Sequence, residues 1–511
     1  MRQRLATVAL RTSAGVWRTI TRSRRSIPSL LNRLTAGFYM KDEAFAVGME
    51  GACGPGPVQS EADAARTQHG SGARRTKDGA MGGPARVSVF RIQGGRPLSG
   101  EVSVKGSKNA ALAILSGVIL AEEPVTLTNL PLVSDIETKL RLLEQLGASV
   151  ERAGDRVTID ASRLSRTDPD PDTVRSIRTS FYILGPMLAR LGEARLPQPG
   201  GCKIGARPVD FHLKGLSILG AKIELVGGQY EATSKKLKGG EIYLDFPSAG
   251  ATQHLMTAAC LAEGQTVIQN AAMEPEVVHL ADFLNRLGAR VEGAGTSTVT
   301  ISGVRRLGGG EFRIPADRMQ AGTYLLAAVA TGGEVTVRDI LPEYQAPVMS
   351  KLKEAGVSVE HGPDWIKVLG NRFATAVSIK TMPYPGFPTD IQQPMAAVLA
   401  TANGVSTVEE TIYESRIGHI GELNRMGAKV RLEGRTSVIT GVDHLEGTVV
   451  EATDLRAGAA LVIAGLGARG ETIVKSVHHI DRGYEGFEQA LCSLGAKIER
   501  IPSGEWESVS R

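Results

Sequence analysis

From residue 87 the segment VSVFRIQGG alternates apolar and polar positions, which predicts a strand with one buried face. Further along, one composite pattern recurs: a helical spacing of apolar residues, then Gly-Ala or Gly-Val, then a short run of β-branched alternation. It occurs as EQLGASVER, SILGAKIEL, NRLGARVEG, KEAGVSVEH, NRMGAKVRL and CSLGAKIER, with glycines at 147, 220, 288, 356, 427 and 495. The intervals of 73, 68, 68, 71 and 68 residues are too regular for the chance recurrence of a common tripeptide. Each glycine ends a helical pattern, as in DFLNRLGA, and is predicted to make the left-handed turn that stops the helix. Apolar strands (TVIQNA, VTVRDI, STVEET, TIVKSV) precede these helices. A unit of roughly 70 residues suits a small α/β module rather than a solenoid repeat, and three units make a domain. Six units predict two pseudo-equivalent α/β domains with a binding cleft between them.

The first 84 residues break the pattern. Residues 1 to 40 carry eight arginines and no acidic residue, as an organelle transit peptide does, although an upstream mis-start before Met40 or Met81 gives the same composition. Residues 48 to 86 are rich in Gly, Pro and Ser and poor in large apolar side chains, so residues 1–84 are expected to be a disordered extension.

Composition changes this picture little, except in one respect. The chain of 511 residues is 42% hydrophobic and 22% charged, ordinary for a soluble globular protein. No apolar run approaches the roughly 18 residues that suggest a membrane span. The net charge of +5 could suggest a nucleic-acid partner, but residues 1–84 hold 13 Lys/Arg against 6 Asp/Glu. The rest of the chain is therefore slightly acidic, and a nucleic-acid partner is not expected. Four cysteines, at 53, 202, 260 and 492, form no CxxC pair and predict neither a disulfide framework nor a zinc site.

Candidate chemistry lies in the loops that lead into helices, where unpaired N–H groups and the helix dipole favour anions. Arg207 in GGCKIGARPVD, Arg416 in IYESRIGH and Arg482 in VHHIDRGYE hold comparable places in the second, fifth and sixth units. Converging on one cleft, they predict a ligand with more than one phosphate or carboxylate. Cys202 stands behind two glycines and near Lys203 and Arg207, a setting that favours the thiolate; an ordinary loop cysteine is the alternative. Lys108 opens the apolar helix NAALAILSGVIL, where the dipole disfavours a cation, so it is either a surface lysine or a functional one. Asp390, after the stiff Phe-Pro-Thr, is a candidate base or a cap for the helix beginning near IQQPMAAVLA.

Six motifs, in order and spacing, carry a resemblance: VKGSKNAALAIL, QPGGCKIGARPVDFH, PGFPTDIQQP, IYESRIGHIGELNRMGA, ATDLRA and HHIDRGYE. The sequence from about Val89 to about Arg500 resembles the enolpyruvyl transferase family, and within it the members that act on UDP-N-acetylglucosamine. The resemblance implies an α/β fold, a two-domain inside-out α/β barrel built from six βαβαββ repeats. Residues 109–315 would form the first domain, with the mobile Cys202 loop, and residues 85–108 with 316–511 the second. The implied reaction moves the enolpyruvyl group of phosphoenolpyruvate to the 3′-hydroxyl of UDP-N-acetylglucosamine and releases phosphate, the first committed step of peptidoglycan synthesis. No cofactor and no metal is implied, the partners are those two small molecules, and the location is cytoplasmic, or plastid or another organelle if residues 1–40 are a transit peptide.

Residue by residue, the resemblance implies that Lys108, Asn109, Arg207, Arg416, Arg456 and Arg482 bind phosphoenolpyruvate, with Asp454 among the charged residues around it. Cys202 matches the loop cysteine that donates a proton or forms a covalent phosphoenolpyruvate adduct, and Asp390 the aspartate at the sugar hydroxyl. Together with Lys108 these are the implied catalytic residues. Arg178, Arg207, Pro208, Val209, Asp210, Phe211, Ser248, Gly250, Asp390 and Ile412 match the nucleotide-sugar site; Phe211 departs from the leucine more usual there. A shikimate-pathway enolpyruvyl transferase shares the repeat and the cations, but the GGC loop and ARPVD match the nucleotide-sugar enzymes. A catalytically silent nucleotide-sugar binder has no chemical need to keep Lys108, Cys202, Asp390 and Arg482 together.

Overall fold

A computed structural model describes residues 7–11, 17–21, 88–199, 209–370, 374–504 and 506. The chain divides into two compact units, Met1–Gly79 and Ala80–Arg511. In the first, strands Thr7–Arg11 and Trp17–Thr21 pair as an antiparallel hairpin, Thr7 opposite Thr21. The expectation of disorder for residues 1–84 otherwise falls outside the described residues.

Among the described residues of the second unit the alternating segments form six open sheets. Five have four strands and one pairing pattern, shown by Gly310–Arg313, Val125–Thr128, Arg156–Asp160 and Ser149–Ala153: a parallel pair followed by two antiparallel pairs. The sixth has three antiparallel strands, Glu193–Pro197, Gln229–Thr233 and Lys222–Val226. The expected strands are present: Gln265–Gln269, Glu334–Arg338, Val405–Glu409 and Glu471–Lys475 cover the four β-branched runs. Ser88–Gln93 lies between Glu471–Lys475 and Lys497–Pro502, so the first strand after the tail completes a sheet made by the C-terminus. Among the described residues no sheet closes on itself, so the α/β expectation is met by separate sheets rather than by a closed strand barrel.

The helices with no polar face are interior. Arg318–Thr331, Thr389–Leu399 and Leu455–Gly467 pack against one another and are buried along nearly their whole lengths. They form one core with residues from 90 to 104 and from 319 onward, while Lys108–Gly117, Leu184–Leu191 and Ala249–Ala259 belong to a second core drawn from residues 110–314. The six repeat glycines all have positive φ, from 80° at Gly356 to 105° at Gly147, the conformation the pattern predicts after each helix.

The chain passes between the cores twice, side by side. Gly106 bridges Ala316, and the Asp317 amide donates to the Lys105 carbonyl at 2.9 Å. Asp317 then serves two helices: Oδ1 accepts from the amides of Met319 and Gln320, and Oδ2 from the Lys108 amide at 3.3 Å.

Candidate active site

A cleft of about 670 Å³ is lined from both cores. Five interior helices begin on its wall, at Lys108, Ala249, Arg318, Thr389 and Leu455, so their positive dipole ends meet there. Seven cations, Lys108, Arg175, Arg178, Arg318, Arg416, Arg456 and Arg482, line the same space. Such a wall is built for an anion carrying several negative charges.

Three carboxylates hold most of those cations. Asp390, in the first turn of Thr389–Leu399, does not cap its helix; its Oδ1 takes Arg416 Nη1 at 2.8 Å, and Oδ2 takes Arg456 Nη2 at 2.9 Å. Burial pushes the Asp390 carboxyl up, but the two guanidiniums outweigh it and hold the group far below the usual carboxylate range. Its side chain keeps 23% of its surface exposed, so a ligand in the cleft reaches it, whereas Arg416 and Arg456 are buried. Nε of Arg416 and Nη1 of Arg456 are buried without a hydrogen-bond acceptor at normal geometry.

The second carboxylate is Asp135, which the sequence did not single out. It binds Lys108 Nζ at 3.1 Å and Arg482 Nε at 2.9 Å; burial raises its pKa, and the two cations together bring it below the ordinary value. Lys108 is thus buried and paired, not a surface lysine. The third is Glu276, in a two-pronged pair with Arg318 at 2.9 and 3.1 Å. Beside it burial keeps the Glu274 carboxyl above its ordinary pKa, and Oε2 of Glu274 has no partner. Asp454 is a helix cap: Oδ1 accepts from the amides of Arg456 and Ala457, although the residue also lines the cleft.

Arg178, Val209, Phe211, Ser248 and Gly250 also line the cleft, as does Ile412, whose amide donates to Glu410 Oε1 on the Asp390 side. Ser248 caps the helix Ala249–Ala259, its Oγ accepting from the Ala251 amide. A Cβ on Gly250 would lie 2.2 Å from the Tyr182 hydroxyl, so glycine is what lets that ring lie against the helix start. Tyr182 stacks on His212 and His254, with ring centroids 5.5 and 6.1 Å away. His254 Nε2 accepts from the Gly185 amide at 2.7 Å, which places a neutral ring's hydrogen on Nδ1, 2.9 Å from Nδ1 of His212. Burial keeps both rings uncharged, bringing His212 to about 3.

Asp210 is in the first turn of Asp210–Ile218 and does not line the cleft. Cys202, Arg207 and Pro208 lie outside the described residues. Among the described residues no group of three or more His, Cys, Asp or Glu is placed to hold a metal ion, and no helix is long and apolar enough to cross a membrane.

A family model described as EPSP synthase (3-phosphoshikimate 1-carboxyvinyltransferase) matches residues 92–491. The chain is 52% identical over 417 residues to UDP-N-acetylglucosamine 1-carboxyvinyltransferase 2 of Carboxydothermus hydrogenoformans, covering 81% of this chain and 100% of that protein. It is 49% identical to UDP-N-acetylglucosamine 1-carboxyvinyltransferase of Yersinia pestis, covering 81% of this chain and 99% of that one. Among solved structures, the enolpyruvyl transferase NikO from Streptomyces tendae superposes with a TM-score of 0.74 at 27% identity, over 81% of this chain and 99% of that one. EPSP synthase from Acinetobacter baumannii gives 0.65 at 20% identity over 81% and 100%, a likeness of fold.

Proposed function

We infer the reaction from one premise, that this chain belongs to the enolpyruvyl transferase family described as EPSP synthase (3-phosphoshikimate 1-carboxyvinyltransferase). It transfers the enolpyruvyl group of phosphoenolpyruvate to the 3′-hydroxyl of UDP-N-acetylglucosamine and releases phosphate, in peptidoglycan synthesis. The observation that carries the choice of acceptor is the identity of about half, over nearly their whole length, with proteins named for that acceptor.

The chemistry assigns roles. Oxygen O3′ attacks C2 of phosphoenolpyruvate while C3 gains a proton; the C2–O bond to phosphate then breaks as C3 loses a proton, leaving the enol ether and inorganic phosphate. Lys108, Asn109, Arg207, Arg416, Arg456 and Arg482 hold the anionic groups of phosphoenolpyruvate, and those cations stabilise the departing phosphate. Arg178, Arg207, Pro208, Val209, Asp210, Phe211, Ser248, Gly250 and Ile412 hold the nucleotide sugar. Asp390 takes the proton from the 3′-hydroxyl. Two arginines make it a weak base as it stands, so it gains basicity when the incoming anion draws Arg416 and Arg456 toward itself. Cys202 delivers the proton to C3 or handles a covalent adduct.

The same reading makes residues 109–315 one domain and residues 85–108 with 316–511 the other, arranged as six βαβαββ repeats with helices inside and sheets outside, in the cytoplasm. Incubation with both substrates followed by mass spectrometry tests the function. The enolpyruvyl ether of the nucleotide sugar is the expected product, and recovery of unchanged nucleotide sugar would refute the reading.

A further inference from the structure

Lys139 lies on the helix Ser134–Gln145, one turn beyond Asp135 and therefore on the same face. It has no exposed surface, and its Nζ donates to the Thr179 carbonyl oxygen at 3.0 Å. Burial without a compensating negative charge brings its pKa down to about 7. The titratable group from the packed elements that senses it is His254, on Ala249–Ala259, itself bonded to His212, which in turn senses Arg178. A buried lysine in such a place is a liability to stability, because an apolar side chain of the same length would fill the space without losing hydration.

What the lysine holds gives it a use. Thr179 follows Arg178 in the 3₁₀ turn Arg178–Ile183, from which Arg178, Thr179, Phe181 and Tyr182 face the cleft. The hydroxyls of Thr179 and Ser180 have no hydrogen-bond partner and do not anchor the turn. The Lys139 bond joins it to the helix whose Asp135 holds Lys108 and Arg482. One rigid helix thus carries, one turn apart, the residue that places the phosphate-side cations and the residue that ties down the nucleotide-side wall.

We propose that Lys139 is a positioning residue that fixes the Arg178–Tyr182 wall of the nucleotide-sugar subsite against the helix bearing Asp135. The proposal rests on the functional reading above for the ligand, while the tie itself is a property of the fold. The test is Lys139→Met in the full chain, with Lys139→Gln, one atom shorter but polar, as the second variant if the first is insoluble. Against wild type, the expected results are an unchanged or raised melting temperature and a KM for UDP-N-acetylglucosamine higher by roughly five- to tenfold, the effect of one lost ordinary hydrogen bond. The KM for phosphoenolpyruvate should stay within about twofold by the same scale. Hydrogen exchange of residues 178–183 should quicken in the variant. Unchanged KM values and unchanged exchange would overturn the proposal. A wild type inactive with both substrates would count against the functional reading instead, and the exchange measurement would then decide the tie alone.

Discussion

Arg456 reaches Asp390 with two nitrogens, Nε at 3.1 Å and Nη2 at 2.9 Å, and both land on the same carboxylate oxygen, Oδ2. With Arg416 on Oδ1 at 2.8 Å, the candidate base is saturated by the cations that should bind substrate. Asp390→Asn is therefore expected to have two effects. Turnover should fall by roughly 100-fold or more, the usual contribution of a positioned acid or base. The protein without ligand should also lose about 3 kcal/mol of stability, because two buried guanidiniums are left without their counter-charge. Inorganic phosphate, binding those arginines, should restore much of the melting temperature. A variant with near wild-type turnover would make Asp390 a structural residue.

The pH dependence of stability follows from the same carboxylates. Asp390 and Asp135 have pKa values below their ordinary ones in the fold. Their contribution is present above the unfolded value near 3.8 and is lost as pH falls below it. Neutral buried His212 adds to this: its folded pKa of about 3 lies below the unfolded 6.5, so its share is lost progressively as pH drops beneath 6.5. Denaturant unfolding followed from pH 7.5 to 3 should show a loss that begins below pH 6.5 with the histidine and steepens below 3.8 with the carboxylates. In His212→Phe the loss between pH 6.5 and 5 should be smaller.

Gly250→Ala places a methyl group against the Tyr182 hydroxyl, and the ring must turn off its stack on His212 and His254. The expected outcome is a KM for UDP-N-acetylglucosamine raised about tenfold with a much smaller change for phosphoenolpyruvate, a loss of positioning rather than of chemistry. Steady-state kinetics in each substrate check it.

The parts of this account that were legible in the sequence are those with local signals. The six glycines required φ > 0 after a helix, and the β-branched runs alternated, so turns and strands were predictable from a few neighbouring residues. Asp390 could be read as a base or a cap; the structure shows that it does not cap its helix and is instead held by Arg416 and Arg456. Asp454 lines the cleft and also holds two amides of its own helix, a second role that its motif did not reveal. Asp135, Lys139 and the pair Glu276–Arg318 went unread. Asp135 and Arg482 meet across 347 positions of sequence, and a buried lysine on an amphipathic helix has the same local pattern as an exposed one. Such contacts arise when distant elements pack, and no window of a dozen residues contains them.

Cys202 should be the cysteine first alkylated by the phosphonate epoxide fosfomycin, since the reagent's anion suits Lys203 and Arg207 and its ring then meets a favoured thiolate. Cys260 is buried, with its pKa pushed up to about 12. Cys492 is exposed, its Sγ lying 3.1 Å from the Ile498 carbonyl, and it does not line the cleft. Labelling of Cys202 should quicken with UDP-N-acetylglucosamine present, and Cys202→Asp should resist inactivation. Peptide mapping after brief exposure checks the site, and a label first on Cys492 would contradict it.

Removal of residues 1–84 should leave folding and turnover intact. Among the described residues the hydrophobic cores draw on positions from 89 onward, and Ser88–Gln93, which completes the C-terminal sheet, survives the cut. Melting temperature and activity within about twofold of the full chain are expected; an insoluble or inactive product would give the extension a role in the fold.

The choice of acceptor is the central claim, and phosphate release from phosphoenolpyruvate measures it most directly, with no acceptor, with UDP-N-acetylglucosamine and with shikimate 3-phosphate in parallel. The account predicts release with UDP-N-acetylglucosamine alone. Release without an acceptor, or release sustained by shikimate 3-phosphate, would contradict it.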